Sequence, residues 1–208
     1  MDALTAIFGD KTKVKILRLF MFNPETPFFV AEVSSRTQSL PRLANRELNV
    51  LESAGIILKR RHITKDEINS GKKAGTHRVK GVGYVLNPKF PYLDALKNLL
   101  SISSVQADQA LAKRFVGTGR LKLMMAAGVF TQDWNSRVDL LLVGDGLNIH
   151  RIESVIKGLE AEVGKEIAYS VFPTQDFEYR MGIHDRLVRD ILDYPHITLI
   201  DRLGVEAH

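Results

Sequence analysis

The spacing of apolar residues changes character partway along the chain. Up to Gly55 they recur every three or four positions, the mark of helices with one buried face. In DKTKVKILRLFMF, Val14, Leu17 and Phe20 or Met21 share such a face with Ile16 beside it, and Asp10 or Thr12 stands where a helix cap is wanted. Asn23-Pro24-Glu25-Thr26-Pro27 then interrupts the helix, because proline lacks a backbone donor and restricts its predecessor. A short helix is predicted from Val30 to Arg36, followed by a turn at Thr37-Gln38-Ser39. The next helix carries Pro41 in its first turn and Gly55 as a left-handed cap. Its buried face is predicted to hold Leu40, Ala44, Leu48 and Leu51, which leaves Arg42, Asn45, Arg46 and Asn49 on the opposite face.

After Gly55 the chain reads as strand, long basic loop and strand: ILKRRHI, then residues to Lys80, then GVGYVLNP. The segment PYLDALKNLL places Leu93, Leu96 and Leu100 in a stripe with two open roles, packing back on the preceding helices or pairing with a second copy. Gly117-Thr118-Gly119 is the best domain boundary. Beyond it strands and helices alternate. LKLMMAAGVF, VDLLLVGD, EIAYSVF and HITLID read as strands. IHRIESVIKGLEAEVGK reads as a helix burying Ile149, Ile152, Val155, Ile156, Leu159 and Val163, and TQDFEYRMGIHDRLVRDILDYP as one further helix. The expected fold class is α+β, with a helical and hairpin domain over 1–90, a connecting helix over 91–118 and a small α/β domain over 119–208.

Charge separates the same two halves. Residues 1–118 hold 19 Lys and Arg against 10 Asp and Glu, whereas residues 119–208 hold 10 against 14. The first half alone is suited to a polyanion. Its densest basic stretch contains Lys59, Arg60, Arg61, Lys65, Lys72, Lys73, Arg78 and Lys80, against only Asp66 and Glu67. The chain has no cysteine, which excludes disulfides and cysteine-based zinc sites. Lysines and an arginine interrupt the amphipathic N-terminus, which fits neither a signal peptide nor a membrane span, so a cytoplasmic location is expected. The sequence holds no Walker loop, GxGxxG or Ser/His/Asp constellation, and His150, His184 and His196 stand singly.

The order helix, turn, helix, strand, basic loop, strand resembles the winged helix-turn-helix family of DNA-binding domains, most closely over LNVLESAGII. The resemblance implies that Arg42, Asn45, Arg46 and Asn49 face the major groove. Arg can make paired hydrogen bonds to guanine and Asn to adenine. Lys59, Arg60, Arg61, Lys72, Lys73, Arg78 and Lys80 would hold phosphates, which set affinity and register without specifying sequence. A plain solvated helix face and a solvated charged loop are the alternatives for these two stretches.

The segment MMAAGVFTQDWNSRVDLLLVGD, its following helix and the C-terminal FEYRMGIHDRLVRDILDYPHITLID resemble a small nucleotidyltransferase domain of the polymerase-beta superfamily, over roughly Gly119 to Leu203. That family uses a Gly-Ser turn for phosphates and an Asp-x-Asp plus a third acid for two metal ions, since divalent metals need hard oxygen ligands. Here Gly128 keeps the glycine, but Val129 stands in place of serine, Arg137 in place of the first aspartate, and Ile167 to Val171 contain no acid. Asp139 alone remains. Arg137 and Asp139, two apart on a strand, are expected to share a face as an ion pair or anion site. Asp133 and Asp145 read as turn residues, and Trp134 as a base-stacking candidate or a half-buried ring.

These readings lead to a sequence-specific transcriptional regulator that binds double-stranded DNA as a homodimer. It would carry an inactive nucleotidyltransferase-like domain for oligomerisation, partner binding or a small ligand such as a nucleotide near Gly128. It would need no catalytic residues, metal or cofactor. Two rivals remain: a metal-dependent nucleotidyltransferase delivered by a winged helix, and an antitoxin-like module that binds protein.

Overall fold

The computed structural model describes residues 3–67, 77–102, 109–133, 136–193 and 195–205, with backbone alone for 61–67, 77–80 and 101–102. It is a mixed α+β structure with two small sheets. The chain divides into two compact units, Met1–Ile102 with Ala161–Lys165, and Ser103–Glu160 with Glu166–His208. Among the described residues no helix is long and apolar enough to cross a membrane.

The first unit runs α1 (Ala3–Phe8), α2 (Lys11–Phe22), α3 (Val30–Thr37), α4 (Pro41–Ser53), β1 (Ile57–Glu67), β2 (His77–Leu86) and α5 (Leu93–Ile102). Asp10 caps α2 by accepting from the Thr12 amide at 2.6 Å. α3 opens with the Glu32 carboxylate accepting from the Phe29 amide at 2.7 Å. It ends where Gln38 turns left-handed and the Ser39 amide bonds back to the Ser34 carbonyl. Gly55, at φ +75°, lets the chain leave α4, with the Ile56 amide returning to the Leu51 carbonyl.

Phe20, Val33, Ala44, Leu48 and Ile57 lie at the centre of this unit's core, where the Phe20 and Phe28 rings meet edge to face at 5.6 Å. Phe28 and Tyr84 exchange backbone hydrogen bonds, so the chain before α3 is tied to the hairpin. Leu100 lies in this same core and Leu93 and Leu96 pack against it, the first of the two roles open to that stripe. Leu40 departs from expectation. It sits at the α4 N-cap and is 68% exposed, one residue too early to point inward with Ala44 and Leu48. The expected long loop is also shorter, because β1 continues to Glu67 and β2 begins at His77, paired antiparallel with an irregularity between Arg60 and Ile63.

The second unit contains α6 (Gln109–Arg114), β3 (Arg120–Ala126), a 3-10 turn at Gly128–Phe130, β4 (Leu140–Asp145), α7 (Ile149–Val163) except its last three residues, which count with the first unit, β5 (Tyr169–Phe172), α8 (Thr174–Gly182), α9 (Arg186–Leu192) and β6 (Ile197–Asp201). The sheet order is β5-β4-β3-β6. β4 and β5 are parallel, joined by α7, and β3 runs antiparallel to both of its neighbours. Leu123, Met125, Leu141 and Val143 pack with Phe177, Val188 and Ile191.

Three expectations need correction here. GVF does not extend β3, since Gly128 turns left-handed at φ +54° and starts the 3-10 turn. Ile149, the first residue of α7, is 46% exposed, although Ile152, Ile156, Leu159 and Val163 are buried and Val155 half-buried. The single helix expected after Pro173 is two. His184 takes φ +54°, and Asp185 restarts the helix by accepting from the Leu187 and Val188 amides.

Candidate functional site

The polar face of α4 forms because Ala44, Leu48 and Leu51 anchor its other side in the core. Arg42, Asn45, Arg46 and Asn49 are all exposed. Arg42, Asn45 and Asn49 have no side-chain hydrogen bond or ion pair among the described residues. Arg46 is different. Its guanidinium donates from Nη2 to Asp10 Oδ2 at 3.0 Å and from Nε to Glu47 Oε1 at 2.9 Å, although its side chain remains 59% exposed. Glu47 is itself buried, and its other oxygen lies 3.5 Å from Lys13 Nζ. Asp10, Lys13, Arg46 and Glu47 thus make one charged network joining the start of α2 to α4. This network was missed from the sequence, although Glu47 stands three residues after Ala44 and four before Leu51, on the buried face, where an acid needs partners.

Of the basic hairpin, Lys59 and Arg60 are exposed. Lys59 Nζ donates to Glu52 Oε2 at 2.9 Å and lies 5.5 Å from the centre of the Tyr84 ring. The hydrogen bond to Glu52, followed by the interaction with Tyr84, raises the Lys59 pKa above its ordinary value. Arg61, Arg78 and Lys80 fall on strand backbone, Arg78 paired in register with Asp66 and Lys80 with Thr64. Lys72, Lys73 and Trp134 lie outside the described residues.

At the other candidate site the geometry around Asp139 is closed. Its Oδ1 accepts from the Val129 amide and its Oδ2 from the Ala168 amide, each at 2.8 Å, and the residue is 5% exposed. Its backbone bonds to the same two segments, receiving from the Ala127 amide at 2.9 Å and donating to the Ala168 carbonyl at 2.6 Å. A side chain at Gly128 would overlap the Asp139 carboxylate. Asp139 is therefore a clip that fixes the 3-10 turn and the approach to β5. These residues do not fit a two-metal site: both oxygens are committed to backbone donors, Val129 is buried, and the remaining position is a cation. The expected pairing of Arg137 with Asp139 is also absent. Arg137 precedes β4 and reaches Asp190 on α9, with Nη1 to Oδ2 at 3.3 Å.

Asp145, at the end of β4, is held by Lys122 Nζ at 2.9 Å. That hydrogen bond is the largest cause of its depressed pKa. No family model, curated protein or solved structure matches the chain.

Proposed function

We propose that the protein is a cytoplasmic, sequence-specific DNA-binding regulator, acting as a homodimer, with the helix-hairpin unit as its reader and the second unit as a regulatory or oligomerisation domain without catalysis. The observation that carries the reading is the α4 face. Three polar side chains of base-reading type, Arg42, Asn45 and Asn49, are exposed along one helix with no internal partner among the described residues. A helix fits the major groove, and these side chains match the edges of guanine and adenine. Arg46 has a different part in this scheme: its ties to Asp10 and Glu47 make it a positioned cation for a backbone phosphate. Arg60 and the outer hairpin add phosphate contacts.

The closed geometry of Asp139, whose oxygens both serve the fold, supports the reading of the second unit as inactive.

Fluorescence anisotropy on the duplex upstream of the protein's own gene and on a scrambled duplex tests the proposal. Preferred binding to the upstream duplex, steep weakening with salt, and loss of preference in Arg42→Ala are expected. Equal, weak binding to both duplexes would overturn it in favour of a protein-binding module.

A further inference from the structure

The second unit contains a cavity of about 370 Å³ between the segment entering β4 and helices α8 and α9. Its volume is within the range of small-ligand sites. Val138 and Ile191, both buried, form an apolar floor, and Arg137, Arg180 and Arg186 stand around it with Asp185 and Asp190. Two of the arginines are paired: Arg137 with Asp190 at 3.3 Å and Arg180 with Asp185 at 3.0 Å. Arg180 is held further by the Phe172 ring, 4.8 Å below its guanidinium. Asp185 is also engaged at the start of α9. Arg186 is exposed and has no acidic partner among the described residues. Three cations against two anions leave the lining one positive charge in excess.

We propose that this cavity binds a small organic oxyanion. The headgroup is held by Arg186 and Arg137, and an apolar body lies on Val138 and Ile191. A guanidinium presents paired donors that match carboxylate and phosphate oxygens alike. Arg137 can turn to such a headgroup because its side chain is 64% exposed and its pair with the half-buried Asp190 is long. Arg180 keeps Asp185 and serves as a fixed wall. The described lining residues include none from Gly128–Phe130, so the site is separate from the turn closed by Asp139. The binding does not depend on α4 reading DNA.

The test is isothermal titration of the full chain with phenyl phosphate, benzoate and inorganic phosphate at fixed ionic strength. Saturable one-to-one binding is expected from phenyl phosphate or benzoate, and which of the two binds tighter identifies the headgroup as phosphate or carboxylate. Inorganic phosphate should bind at least tenfold more weakly than the tighter aromatic ligand. Arg186→Ala, at an exposed position without a partner, should leave the thermal midpoint unchanged and weaken that ligand at least tenfold. Arg186→Lys should recover part of the loss. Saturation by neither aromatic anion, inorganic phosphate binding as tightly as the tighter one, or full affinity in Arg186→Ala would each overturn the proposal.

Discussion

Among the described residues each unit buries one carboxylate near its candidate site, and the two are held by different means. Asp139 is held by backbone amides at Val129 and Ala168. Glu47 is held by side chains, Arg46 and Lys13. Amides are fixed by the fold, so Asp139 and its surroundings have one arrangement. Side-chain cations can swing, so the Glu47 network holds α4 in place and still leaves Arg46 largely in solvent. The comparison shows that a buried acid marks a site only after its partners have been identified.

The largest effect should come from Asp139→Ala, which leaves the buried Val129 amide and the part-buried Ala168 amide without their acceptor and should cost about 3–4 kcal/mol in urea unfolding. Gly128→Ala should cost about 2–3 kcal/mol, combining a left-handed alanine with the overlap on Asp139. Wild-type stability in either variant would break the view of Asp139 as a clip.

On the other side of the comparison, Lys13→Met removes one cation from a buried carboxylate and should cost about 1–2 kcal/mol. Glu47→Met should cost less than Lys13→Met, because an apolar side chain replaces the buried acid and the two cations it releases can turn to water. If Glu47→Met proved the more damaging, the network would be a source of stability in its own right.

Arg42→Ala and Asn49→Ala should change stability by no more than about 0.5 kcal/mol, as expected for exposed positions without partners. Any fall in DNA affinity in these variants could then be read as lost contact. The smallest effect concerns acid. Asp145 has a depressed pKa in the folded state, so its pairing contributes stability above its unfolded value and loses it as pH falls through the folded one. Lys122→Met should therefore raise the midpoint of acid unfolding slightly and leave stability changes between pH 7 and 9 free of any contribution from Asp145. An unchanged acid midpoint would mean that the Lys122 pair contributes nothing.

Much of the helical half was legible because its signals are local. Period, prolines, the Asp10 cap and Gly55 located α2, α3 and α4 to within about a residue. Strand existence was legible from apolar runs, but strand length was not, since nothing local tells whether residues as charged as Lys65 to Glu67 pair with a partner strand. The break between α8 and α9 was hidden for the opposite reason: helical spacing continues through it, and only the left-handed turn at His184 and the Asp185 cap divide the run.

By itself, then, the sequence determined the α+β class and the position of the polar α4 face. Tertiary structure alone decided which polar residues are already spoken for. Asp10 reaches Arg46 across 36 positions and Asp139 reaches Ala168 across 29. Arg137 meets Asp190, and α8 and α9 bring Arg180 and Arg186 to the same cavity. Local sequence encodes backbone preference and amphipathic pattern, whereas the partner of a charge is fixed only when distant segments pack together.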